Sequence, residues 1–74
     1  QTRRLLGEVV VLVEARVKSE ALPRSEVRFS RKDVRDATGW SDTQLRVHLA
    51  RLADLEYLLV HRGGRGHSFE YELV

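Results

Sequence analysis

The run "GWSDTQLRVHLAR", residues 39–51, gathers side chains suited to the edges of base pairs. Reading those edges takes a narrow surface of hydrogen-bonding side chains that reach the bases, with small or apolar ones between them that let the backbone come close. Thr43, Gln44, Val47 and Arg51 supply that combination. Gln44 can pair with adenine, Arg46 or Arg51 with guanine, and Val47 can meet a thymine methyl group. The same positions have a plainer role as the solvated side of a core helix. Gln44 stands three residues after Ser41 in the S-x-x-Q pattern of a capping box, and a side chain folded back on Ser41 does not also read a base.

Phosphate contacts need positive charge or unpaired backbone amides. Ser30, Arg31 and Lys32 offer both at one helix start, and Ser41 with Thr43 at another. The segment "HRGGRGHSF" adds Arg62, Arg65 and His67 around three glycines that let a hairpin tip bend along a phosphate backbone. Against this, most surface arginines are solvated charges, and a glycine-rich turn joins many hairpins. The glycines do not make a nucleotide-type phosphate loop, because the lysine and the following helix are missing. Trp40, between two helix signals, is read first as a plug between helices and second as a platform for a base. Tyr57 and Tyr71 are read as core or edge residues.

Catalysis and metal chemistry find little support. His48, His61 and His67 are the only imidazoles and there is no cysteine, so disulfides, thiolate zinc sites and a cysteine nucleophile are all excluded. His61 and His67 face each other across the expected hairpin, yet two ligands do not complete a metal site. No serine stands with a histidine and a carboxylate in a nucleophile turn. Neither enzyme activity nor a cofactor is expected of this domain.

The elements that must position these residues follow from periodicity. From Thr2 to about Ser19, Leu5, Leu6, Val9, Val10, Leu12, Val13 and Val17 recur at helical spacing, and the charged flanks favour a helix over a buried strand for "VVVLV". Pro23 stops it, and "VRFS" reads as a short edge strand. Ser30 caps a second helix, Arg31 to Thr38, with Asp33 at its third position, and Gly39 closes it. The third helix runs from Asp42 to about Glu56, burying Leu45, Leu49, Leu52 and, at the margin, His48 and Leu55. Beyond Tyr57 the period becomes alternating, with Leu58 and Val60, then Phe69, Tyr71 and Leu73, so a β-hairpin with a basic tip is expected.

At 74 residues the chain has room for one small α+β domain, and its formal charge of +2 permits an anionic partner without demanding one. The longest apolar run, Val9 to Val13, is too short to span a bilayer, so no membrane partner is expected. The lack of cysteine fits a reducing, cytoplasmic setting. The chain begins without methionine and is read as a piece of a longer protein, in which catalysis can lie elsewhere.

The order helix, strand, helix, helix, strand, strand, with a glycine turn between the second and third helices and a basic hairpin last, resembles the winged-helix branch of the helix-turn-helix proteins over essentially the whole chain. More narrowly, "TGWSDTQLRVHLARLADLEYLLVHRGGRG" is similar to winged-helix segments of primase- and helicase-type replication proteins of bacterial mobile elements. The resemblance implies binding to double-stranded DNA in replication or transcriptional regulation. In it, the third helix (residues 42–56) lies in the major groove and the wing (62–67) on the backbone or minor groove. The site would then comprise Arg31, Lys32, Ser41, Thr43, Gln44, Arg46, Val47, Arg51, Arg62, Arg65 and His67.

One departure stands out. From Ser41 to Glu56 there are two arginines against three carboxylates, whereas Arg28, Arg31, Lys32 and Arg35 make the second helix and its preceding strand the basic part. The rival expectation is therefore an interaction module that pairs with itself or with other domains of a parent replication or regulatory protein. The near-neutral third helix and Val11, off the main stripe of the first, speak for it.

Overall fold

The computed structural model describes residues 1–62 and 69–74 and shows three helices with a small antiparallel sheet, an α+β architecture. Helix α1 covers Thr2–Glu20, so the "VVVLV" run is helical. Leu5, Val9 and Val13, one every four residues, are its fully buried line, with Leu6, Val10, Leu12 and Val17 packed partly against the core. It ends at Ala21 in the left-handed region (φ 54°). Pro23 then opens a single 3-10 turn, Arg24–Glu26.

Strand β1 is only Phe29–Ser30, shorter than the "VRFS" pattern implies, although Val27 and Phe29 are both buried. Ser30 serves two elements. It pairs with Glu70 in the sheet and caps helix α2, Arg31–Thr38, by a reciprocal capping box with Asp33. The Ser30 hydroxyl accepts from the Asp33 amide at 3.1 Å, and the Asp33 carboxylate accepts from the Ser30 amide at 2.9 Å. Gly39 closes α2 at φ 78°, its N–H donating to the Arg35 carbonyl at 2.8 Å.

Helix α3, Asp42–Asp54, ends two residues short of the expected limit. The Glu56 N–H donates to the Ala53 carbonyl and the Tyr57 N–H to that of Leu52, the paired bonds of a Schellman motif. The left-handed position that usually takes glycine is held by Glu56, at φ 67°. This turn carries Leu55 away from the core: it is 62 % exposed, not at the buried margin of the helix. Tyr57 is likewise exposed rather than packed inside.

Strands β2 (Leu58–His61) and β3 (Glu70–Leu73) complete a sheet of order β1-β3-β2, in which β2 and β3 pair antiparallel with Leu58 opposite Leu73. Alternation holds in β3, where Tyr71 and Leu73 are buried, and only for Leu58 in β2; Val60 and Phe69 are exposed. The Phe29 and Tyr71 rings stack across β1 and β3 with centroids 5.7 Å apart. Leu45, Leu49 and Leu52 of α3 meet the α1 line and the sheet in one apolar core, with no buried polar or charged residue among the described residues. Also among the described residues, no helix is long and apolar enough to cross a membrane.

Candidate nucleic-acid interface

The α2–turn–α3 unit owes its geometry to local bonds. The Thr38 hydroxyl donates to the Val34 carbonyl at 2.7 Å and accepts from the Trp40 amide at 3.2 Å, which fixes the chain as it leaves α2. Trp40 is half-buried against the core and meets the His48 ring edge-on at 5.7 Å between centroids. That geometry agrees with a packing role. His48 in turn shares a 2.8 Å hydrogen bond with the Thr2 hydroxyl through Nδ1, tying α3 to the start of α1.

Ser41 then starts α3. Its hydroxyl accepts from the Gln44 amide at 3.2 Å, and Gln44 Oε1 accepts from the Ser41 amide at 3.2 Å. The Gln44 side chain is thus folded back, and of its two hydrogen-bonding ends only the NH₂ is left for a base. With Leu45, Leu49 and Leu52 sealed inside, Thr43, Val47, Ala50 and Asp54 form the middle of the outward face. At 100° per residue, Arg46 stands on one flank of that face and Arg51, with Gln44, on the other. All of these are exposed, Val47 to 45 %.

Arg31, at the start of α2, is half-exposed, and its Nε lies 3.6 Å from Asp42. Arg35 donates from Nη1 to the same carboxylate at 2.9 Å. One carboxylate at the head of α3 therefore holds two arginines of α2, an arrangement absent from the sequence reading. The only signal for it was opposite charge on either side of a tight turn. Lys32 is exposed, and neither it nor Arg46 nor Arg51 has an ion pair among the described residues. Arg62 is exposed, with its guanidinium 5.7 Å from the centre of the Phe69 ring. Arg65 and His67, together with the rest of the 63–68 tip, lie outside the described residues.

Two further ion pairs brace the periphery. Arg16 reaches Asp33 at 3.4 Å and donates to the Arg28 carbonyl at 2.9 Å, linking α1 to the cap of α2. Arg28 lies 3.5 Å from Glu72, which also accepts from His61 Nε2 at 3.0 Å. Burial pushes the Asp33 carboxyl up, but the Ser30 amide bond, the Arg16 charge and the Ser30 hydroxyl together hold it below the ordinary carboxylate range. Burial also pushes the Tyr71 phenol up, with the nearby Arg31 charge opposing.

Among the described residues no three metal-ligating side chains converge. His61 is engaged by Glu72; its expected position opposite His67 falls in the part not described. No family model matches the sequence, and no curated protein or solved structure is significantly similar to it.

Proposed function

We propose that the chain is a winged-helix domain that binds double-stranded DNA, with α3 in the major groove and the wing, residues 62–67, on the adjacent backbone or minor groove. The observation that carries this reading is the outward face of α3. Its hydrogen-bonding and apolar side chains, Thr43, Arg46, Val47 and Arg51, are exposed and take no part in the core. The α2–turn–α3 unit, followed by a hairpin whose second strand lies between the first and β1, adds support. A role in replication or transcriptional regulation, in a cytoplasmic setting, rests on the sequence resemblance alone.

The test is duplex binding measured against salt concentration for the native chain and for an Arg51→Ala, Arg65→Ala double variant. A DNA reader loses affinity steeply with salt, and each lost phosphate contact reduces the log–log slope by about 0.9. No measurable binding at low salt refutes the proposal. A second reading, a protein-interaction module, draws on Val11: it is 67 % exposed beside a shallow groove shared by Gly7 and Ala15 of α1 and Ala37 of α2.

A further inference from the structure

Strand β2 has an open edge. In the order β1-β3-β2 it pairs with β3 alone among the described residues. In an antiparallel ladder alternate residues aim their N–H and C=O at the neighbour, and the residues between aim theirs away. The Val74 amide donates to the Tyr57 carbonyl at 3.0 Å, one step beyond the Leu58–Leu73 pairing. The Tyr57 carbonyl and both backbone groups of Leu59 and His61 therefore face β3, and Leu58 and Val60 direct theirs outward. Natural edges are usually blunted by lysine, proline or a bulge. The sequence of this one is "LLVH", with Leu59 49 % and Val60 42 % exposed. Beside it runs an open groove lined by Ala53, Glu56, Leu58, Leu59, Val60 and Val74.

A second β2 matches this edge better than an arbitrary strand does. In antiparallel pairing about a two-fold axis at Leu59, Leu58 of each copy exchanges backbone bonds with Val60 of the other. Leu59 then faces Leu59 in the close, non-hydrogen-bonded position. Tyr57 meets His61, and the exposed Glu56, in the turn that precedes β2, stands at the same end of the ladder as the exposed Arg62 of the other copy, opposite to it in charge. No like charges face each other. Of the two adjacent registers, one sets Glu56, whose N–H is already bonded to the Ala53 carbonyl, against Val60, and the other sets Arg62 against Leu58; both forfeit the opposite-charge match.

We propose that the free edge of β2 is a self-association surface, on which a second copy of this chain adds its own β2 antiparallel about Leu59 to form a continuous sheet of order β1-β3-β2-β2-β3-β1. The proposal stands independently of DNA binding. The ladder is short, so the association is of the weak, concentration-dependent kind.

Sedimentation velocity on the 74-residue chain from micromolar to millimolar concentration should show a monomer–dimer equilibrium. Leu59→Lys places two ammonium groups face to face at the axis and should raise the dissociation constant at least about tenfold, while circular dichroism shows the fold retained. Arg62→Glu should also weaken the dimer, and adding Glu56→Arg should restore it, a rescue that only this register provides. A chain that stays monomeric throughout overturns the proposal. So does a dimer indifferent to Leu59→Lys and to the charge swap, or growth into open-ended oligomers.

Discussion

Replacing Asp42 by Asn separates the stability of the α2–α3 corner from the attraction for phosphate that the proposed DNA binding calls for. The carboxylate holds Arg35 at 2.9 Å and Arg31 at 3.6 Å, and the three side chains are between 40 % and 49 % exposed. Pairs this open to water are each worth about 0.2–1 kcal/mol. The negative charge in the first turn of α3 adds about 0.3–1 kcal/mol through the helix dipole at low salt. Asparagine keeps the shape and one acceptor, so a net loss of about 1 kcal/mol is expected, or roughly 4–8 °C in melting temperature for a domain of this size.

Binding should move the other way. Arg31 and Arg35 lose the carboxylate that neutralises them, and the log–log salt dependence of duplex affinity should steepen by up to about 0.9 for each arginine that then meets a phosphate. Calorimetric melting at low and high salt, with anisotropy titrations on a labelled duplex, reads both effects. The destabilisation should shrink as salt screens the pairs. Destabilisation that persists unchanged in high salt, or affinity that falls along with stability, would refute the reasoning.

Other perturbations have definite signs. Because the folded Asp33 carboxyl titrates below its ordinary value of 3.8, its contribution to stability is complete above that pH and is lost as pH falls through the folded value. Urea midpoints of Asp33→Asn should thus converge on those of the native chain only in that acid range. Gly39→Ala meets no atom within 4 Å, so its cost is the left-handed backbone alone, about 1 kcal/mol, whereas Ala21→Gly at φ 54° should raise the melting temperature slightly. Leu49→Ala, which empties a fully buried site, should cost about 2–5 kcal/mol in chemical denaturation.

What the sequence reveals here is chiefly what neighbouring residues settle between themselves. The four-residue repeat of Leu5, Val9 and Val13, the Ser30 cap, the Ser41–Gln44 capping box and Gly39 each depend on side chains within one or two turns, and each occurs where the pattern puts it. The end of α3 was hidden because glycine is the usual mark of a Schellman turn and Glu56 carries none of that signal. Once the helix stops at Asp54, the helical wheel no longer applies to Leu55, and Tyr57 is carried outside with it. Distant partners were equally hidden: Thr2 with His48, Arg28 with Glu72, and Arg24 with the Val74 carbonyl meet only through the tertiary fold. The interface candidates on α3 were legible because exposure follows from the same wheel that identifies the buried leucines.

Charge is where the structure most alters the reading of the candidate site. By composition, the strand before α2 and α2 itself hold the basic excess, and that segment was expected to attract an anion. In the fold its arginines have acquired carboxylates from elsewhere. Arg28 has Glu72, Arg31 and Arg35 share Asp42, and Arg16 from α1 occupies Asp33, which does not therefore offset the arginines beside it in sequence. Lys32, Arg46 and Arg51 keep no ion pair among the described residues, and two of these three stand on the flanks of α3. A near-neutral helix can therefore be the more available cationic surface, because its own acids, Asp42 and Asp54, are respectively engaged by α2 and set at the helix end. Formal charge summed along the chain measures attraction only after the internal pairs have been subtracted.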